Sequence, residues 1–176
     1  SYFVPIAQTR SKSDGQLSIA DWTGDRIEEN HTVNKIRARV RQWREGRYTL
    51  DTTPISRRLL EHWAIQERSR PLYFCQLEAL QTLIYVAEVA KKVGDQWIEN
   101  YLQEVATDAN PGLYRIATKM ATGSGKTLVM AMIIAWQTLN KVHNPQDARF
   151  TDSFLIVTPG ITIRDATFAI LNTHDV

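Results

Sequence analysis

The chain has 176 residues, 43% of them hydrophobic and 23% charged, with a formal net charge of +2. That length allows one domain, or one domain with an extension, and a core that buries roughly two-thirds of the unfolded surface without a disulfide or metal staple. So small a charge is no argument for nucleic-acid binding by itself, and the single cysteine, Cys75, excludes an internal disulfide. No apolar run approaches the ~18 residues of a membrane span. The opening Ser1-Tyr2-Phe3-Val4-Pro5 lacks the charged and apolar regions of a signal peptide. A reducing cytoplasm is the expected compartment.

In chain order, residues 1–10 alternate enough for a short strand, which Pro5 confines to an edge. Residues 11–25 are rich in Ser, Gly, Asp and Lys and read as loop. Val33, Ile36, Val40 and Trp43 then recur at intervals of three and four, which predicts an amphipathic helix over residues 30–45. Arg37, Arg41 and Arg44 share another face of it, with Arg39 and Arg47 nearby. That stripe either contacts phosphates or, as we read it, is a solvated face paired with Glu28, Glu29 and Glu45. Pro54 opens a second helix through Ile55, Leu59, Leu60 and Trp63, since a proline at the first turn forfeits no hydrogen bond. A third helix is expected over residues 76–93, closed by Gly94, and a fourth after Asp95 as its cap, bearing Trp97, Ile98, Tyr101, Leu102 and Val105. Asn110-Pro111-Gly112 is a turn.

The last third reads as strand, loop, helix, loop, strand, helix. Residues 113–118 form the first strand, a helix with Leu128, Val129, Met130, Met132, Ile133, Ile134, Trp136 and Leu139 lies buried against a sheet, and residues 154–157 form the second strand. Thr158-Pro159-Gly160 stops that strand, and residues 161–172 fit a further helix. The expected fold class is α/β, with its two strands parallel.

Between the first strand and its helix stands Lys119-Met120-Ala121-Thr122-Gly123-Ser124-Gly125-Lys126-Thr127. Glycines let backbone N–H groups turn toward phosphates, a lysine reaches the β- and γ-phosphates, and a hydroxyl coordinates Mg²⁺. A helix N-terminus directly after such a loop adds the positive end of its dipole. The complete motif G-x-x-x-x-G-K-[ST] would need glycine where Met120 stands. About fifty positions upstream, Tyr73-Phe74-Cys75-Gln76 places aromatic rings beside a glutamine, whose amide can donate to and accept from adenine's edge at once. His31, His62, His143, His174 and Cys75 show no metal-ligand spacing.

Together these pieces resemble the superfamily 2 helicases. Residues 119–127 look like their motif I, in which the first Walker glycine is commonly absent, Leu155-Ile156-Val157-Thr158-Pro159-Gly160 looks like motif Ia, and Gln76 stands where the adenine-reading Q motif would. Arg57-Arg58-Leu59-Leu60-Glu61-His62-Trp63, Arg70-Pro71-Leu72-Tyr73-Phe74-Cys75-Gln76 and the opening Tyr2-Phe3-Val4-Pro5-Ile6 are similar to the front end of the Res subunits of type III-like restriction enzymes. The resemblance implies a RecA-like P-loop lobe over residues 71–176, a parallel sheet with flanking helices, after a mostly helical extension over residues 1–70. It implies ATP and Mg²⁺ as ligands. Thr122, Gly123, Ser124 and Gly125 would hold the phosphates, Lys126 would neutralise the γ-phosphate, and Thr127 would hold Mg²⁺. Gln76 would select adenine, and Thr158, Pro159 and Gly160 would touch the backbone of double-stranded DNA. A methyltransferase (modification) subunit is the implied partner. The acidic Asp-Glu-x-x motif, the second lobe and any nuclease would lie beyond Val176, so the chain reads as a front fragment that binds ATP and hydrolyses it poorly. Two alternatives stay open: a helicase or remodeller without a nuclease, and a non-catalytic nucleotide-binding module.

Overall fold

The computed structural model describes residues 3–5, 27–49, 51–67, 69–109, 111–112 and 114–157. The expected loop at residues 11–25, the helix over 161–172 and Thr158-Pro159-Gly160 lie outside the described residues.

Strands β1 (Phe3–Pro5) and β2 (Ile27–Glu29) pair antiparallel, with Val4 opposite Glu28. Helix α1 (His31–Glu45) begins where the Asn30 side chain accepts from the Val33 N–H at 3.0 Å. Helix α2 (Pro54–Trp63) starts with proline, and its cap, Thr53, accepts from the Ser56 N–H at 3.1 Å. Helix α3 (Phe74–Ile84) runs into a π turn (Tyr85–Val89), α4 spans Gln96–Ala109, and α5 spans Lys126–His143.

The fold class differs from the α/β expectation. The described residues are predominantly helical and contain no parallel sheet; β1 and β2 form a two-stranded ribbon. Residues 114–118 and 154–157 run without ladder partners, and Tyr114, Ile116, Leu155 and Val157 are exposed. An apolar run of strand length becomes a strand only when a neighbour supplies the other half of each hydrogen bond, and none does so among the described residues. For the same reason α5 is not buried against a sheet. It packs on α2 and α3 through Val129, Ala131, Met132, Trp136 and Asn140, and leaves Met130 and Leu139 exposed.

The core is therefore built between helices. Val40 and Trp43 of α1 meet Leu60 and Trp63 of α2, Leu80 and Ile84 of α3, Tyr85 and Val89 of the π turn, Ile98 of α4, and Met132 and Trp136 of α5. Each such side chain contributes about 1.5–3 kcal/mol by leaving water. Trp43 stacks edge-on against Tyr48 with centroids 4.9 Å apart and tilts against Tyr85 at 5.5 Å. No helix among the described residues is long and apolar enough to cross a membrane.

The third helix ends earlier than its periodicity predicts. At Tyr85–Val89 the Ala90 N–H reaches back five residues to the Tyr85 carbonyl at 2.8 Å. The widened turn brings Tyr85 and Glu88 inward together. Gly94, at φ +87°, then closes the segment. Asp95 is buried, and accepts from the Tyr85 hydroxyl at 2.6 Å and from Trp97 Nε1 at 3.0 Å.

Candidate functional site

Residues 121–127 form a tight turn opening onto the first turn of α5. Gly123 and Gly125 adopt φ +77° and +80°, a region that costs an L-residue with a Cβ about 1–2 kcal/mol. Gly125 is doubly constrained, because a Cβ there would collide with Gln76 Nε2. The Ser124 N–H and hydroxyl both donate to the Ala121 carbonyl, at 3.3 and 2.6 Å. Lys126 Nζ donates to the same carbonyl at 2.8 Å and to that of Met120 at 3.3 Å. The lysine is exposed, so its bonds are to a surface loop it can leave at modest cost.

Among the described residues, the backbone N–H groups of Gly123, Gly125, Lys126 and Thr127 have no acceptor. Four unpaired amides, a primary ammonium and the Thr127 hydroxyl thus lie together at the N-terminus of an 18-residue helix, where the helix dipole favours negative charge. Thr122 and Gly123 are exposed, so the mouth of the turn is open.

Gln76 closes the opposite side. It lies in the first turn of α3, 4% exposed, where its Oε1 accepts from the Tyr73 N–H at 2.8 Å and its Nε2 donates to the Ser124 carbonyl at 3.0 Å. The structure thus brings Gln76, Thr122, Gly123, Ser124, Gly125, Lys126 and Thr127 to one place, although 48 positions separate Gln76 from Ser124. Tyr73 and Phe74 stand beside them with exposed rings.

Two arginines of the stripe meet a partner near this site that the sequence did not indicate. Arg37 Nε and Arg44 Nη2 donate to the two carboxylate oxygens of Glu78, at 3.1 and 3.0 Å. The arginine stripe is thereby divided. Arg41 pairs within its own helix with Glu45 at 2.9 Å, as a solvated face would, while Arg37 and Arg44 tie α1 to α3. Their spacing of seven, two helical turns, was the available signal; the partner's identity was not.

A second buried polar cluster lies deeper. Glu88, 2% exposed, accepts from the Thr53 N–H at 2.8 Å, the Ser56 hydroxyl at 2.5 Å and Trp136 Nε1 at 2.8 Å. Asn140 Nδ2 donates to Ser56 Oγ at 2.9 Å, and Thr53 Oγ1 donates to Asn140 Oδ1 at 2.6 Å. This network fastens the far half of α5 to α2. An open groove of about 350 Å³ lined by Ile55, Arg58, Leu59, His62, Leu139 and His143 also sits at that far end. Among the described residues no group of His, Cys, Asp and Glu is placed to hold a metal ion.

Residues 69–173 match the family model for the type III restriction enzyme, res subunit. No curated protein and no solved structure matches the chain. The matched span begins five residues before α3 and includes Gln76, residues 121–127 and all of α5. With more than half of its length matched, the chain belongs to the family of type III restriction enzyme res subunits, helicase-type components of restriction systems.

Proposed function

We propose that the chain is the ATP-binding front part of an ATP-driven, DNA-translocating subunit of a restriction enzyme. The observation that supports this best is the open turn at residues 121–127, with its unpaired amides, in a chain of this family. The amides of Gly123, Gly125, Lys126 and Thr127 would hold the phosphates, flanked by Thr122 and Ser124. Lys126 would exchange the Ala121 and Met120 carbonyls for the γ-phosphate. Charge stabilisation of this kind supplies most of the catalysis in phosphoryl transfer. Thr127 would offer Mg²⁺ one oxygen, and the ion, which keeps several waters, would neutralise phosphate charge when bound. Gln76 keeps one N–H and one lone pair beyond those used on Ser124 and Tyr73, which is what adenine's edge would meet.

In the same reading, Thr158, Pro159 and Gly160 would contact the backbone of double-stranded DNA, and a modification methyltransferase would be the partner subunit. The isolated chain is expected to bind Mg-ATP and hydrolyse it slowly. Titration calorimetry tests this: Lys126→Ala should weaken Mg-ATP by about tenfold or more, the worth of one charge-assisted contact. In the complete restriction subunit the same change should abolish DNA-stimulated ATPase activity. Unchanged affinity in Lys126→Ala would refute the assignment.

A further inference from the structure

We propose that Arg44, on α1 and outside the matched residues, is a positioning residue for the nucleotide base: it backs one face of Phe74 so that a purine stacks on the other. This rests on reading residues 121–127 as the phosphate site. Phe74 is the first residue of α3, two positions before Gln76, whose side chain touches the loop. The Phe74 ring is 59% exposed, yet it is covered from one side by the Arg44 guanidinium, 5.6 Å from its centroid. A cation over one face draws π-electron density toward itself, which leaves the opposite face a better partner for an electron-rich purine.

Arg44 is held in that place. Its Nη2 and the Nε of Arg37 take the two oxygens of Glu78, whose side chain is 14% exposed, so one carboxylate on α3 pins two guanidiniums on α1. Such a fork restricts the arginine before any ligand arrives, and the ring it covers is restricted with it. The arrangement reads no base edge, so it favours a purine over no base at all and does not separate adenine from guanine.

The test is direct binding to the full chain of ATP, GTP and inorganic tripolyphosphate, each with Mg²⁺. Tripolyphosphate reports the loop without the base. In the wild type, ATP should bind more tightly than tripolyphosphate. Arg44→Ala should weaken ATP and GTP by the same factor, about fivefold, and leave tripolyphosphate unchanged. Arg44→Lys, which keeps a cation near the ring, should recover most of the loss. Phe74→Ala should weaken both nucleotides at least as much, and adding Arg44→Ala to it should cost nothing further. Equal weakening of tripolyphosphate and ATP by Arg44→Ala would mean that α1 only holds the fold. That result, or no change in either ligand, overturns the platform and leaves the loop assignment standing. If the wild type binds ATP no better than tripolyphosphate, the platform likewise falls alone. If it binds neither, loop and platform fall together.

Discussion

Gly125 is the residue on which the site's local geometry turns. Its positive φ disfavours a Cβ, and a Cβ there would also push the Gln76 amide off its bonds to Tyr73 and Ser124, so two costs fall on one substitution. Gly125→Ala should lower unfolding stability by about 1–2 kcal/mol in a urea titration and weaken Mg-ATP. Because the steric part is shared with Gln76, the double variant Gly125→Ala/Gln76→Ala should lose less stability than the two single losses added together. Strict additivity would show that Gln76 does not press on the loop. These residue-scale features were unevenly legible. The Gly-Ser-Gly-Lys-Thr run is legible as a candidate phosphate turn because the chemistry is contiguous, and Gln76 as a candidate reader of adenine. That its amide also ties down Ser124 depends on α3 lying beside α5, a fact of packing.

At the scale of elements, what matters is how α5 is held. Glu88 accepts three hydrogen bonds from α2 and α5, and it reaches them because the π turn rotates it into the core. Glu88→Ala would orphan the Thr53 N–H, remove the acceptor of the Ser56 hydroxyl and leave Trp136 Nε1 with Ser56 Oγ, at 2.9 Å, as its remaining partner. The expected loss is about 3 kcal/mol, read from chemical denaturation. Glu88→Gln keeps the shape and one acceptor oxygen, so it should cost about 1 kcal/mol. A stable Glu88→Ala protein would show that the network does not fasten α5 to α2. The helices themselves were readable from the apolar periods and, for α2, from Pro54 at its first turn. The π turn was not, since the groups that Glu88 meets through it, Thr53, Ser56 and Trp136, come from other parts of the chain.

For the whole molecule, ionisation sets the limits of stability. Arg149 hydrogen bonds hold the Asp147 carboxyl down at about 2, against an ordinary 3.8 and against the opposing pull of its partial burial. A depressed folded value means that this stabilisation is complete above about pH 4 and is lost as the pH falls toward 2. Tyr85 is displaced upward, first by burial and then by its hydrogen bond to the Asp95 carboxylate, and burial raises Tyr48 as well. Both phenols stay neutral in the fold while those of the unfolded chain ionise near pH ~10, so their stabilisation is complete below that value and declines above it. From these three groups the stability profile should be flat between about pH 4 and 10. Far-UV circular dichroism against pH checks it: Asp147→Asn should blunt the acid limb, and Tyr85→Phe should shift the alkaline limb upward. An alkaline limb that Tyr85→Phe leaves in place would assign it to other groups.

The sequence by itself determined the glycine turn before α5, the helices and their starts, and the likeness to the res subunits, because each is written in residues a few positions apart. Tertiary structure decided what those pieces meet. It set Gln76 against Ser124, Arg44 over Phe74 and Glu88 between α2 and α5. It also left residues 114–118 and 154–157 without the ladder their composition suggests among the described residues. A helix closes its hydrogen bonds within its own turns, whereas a strand, a platform or a buried carboxylate depends on partners from distant parts of the chain.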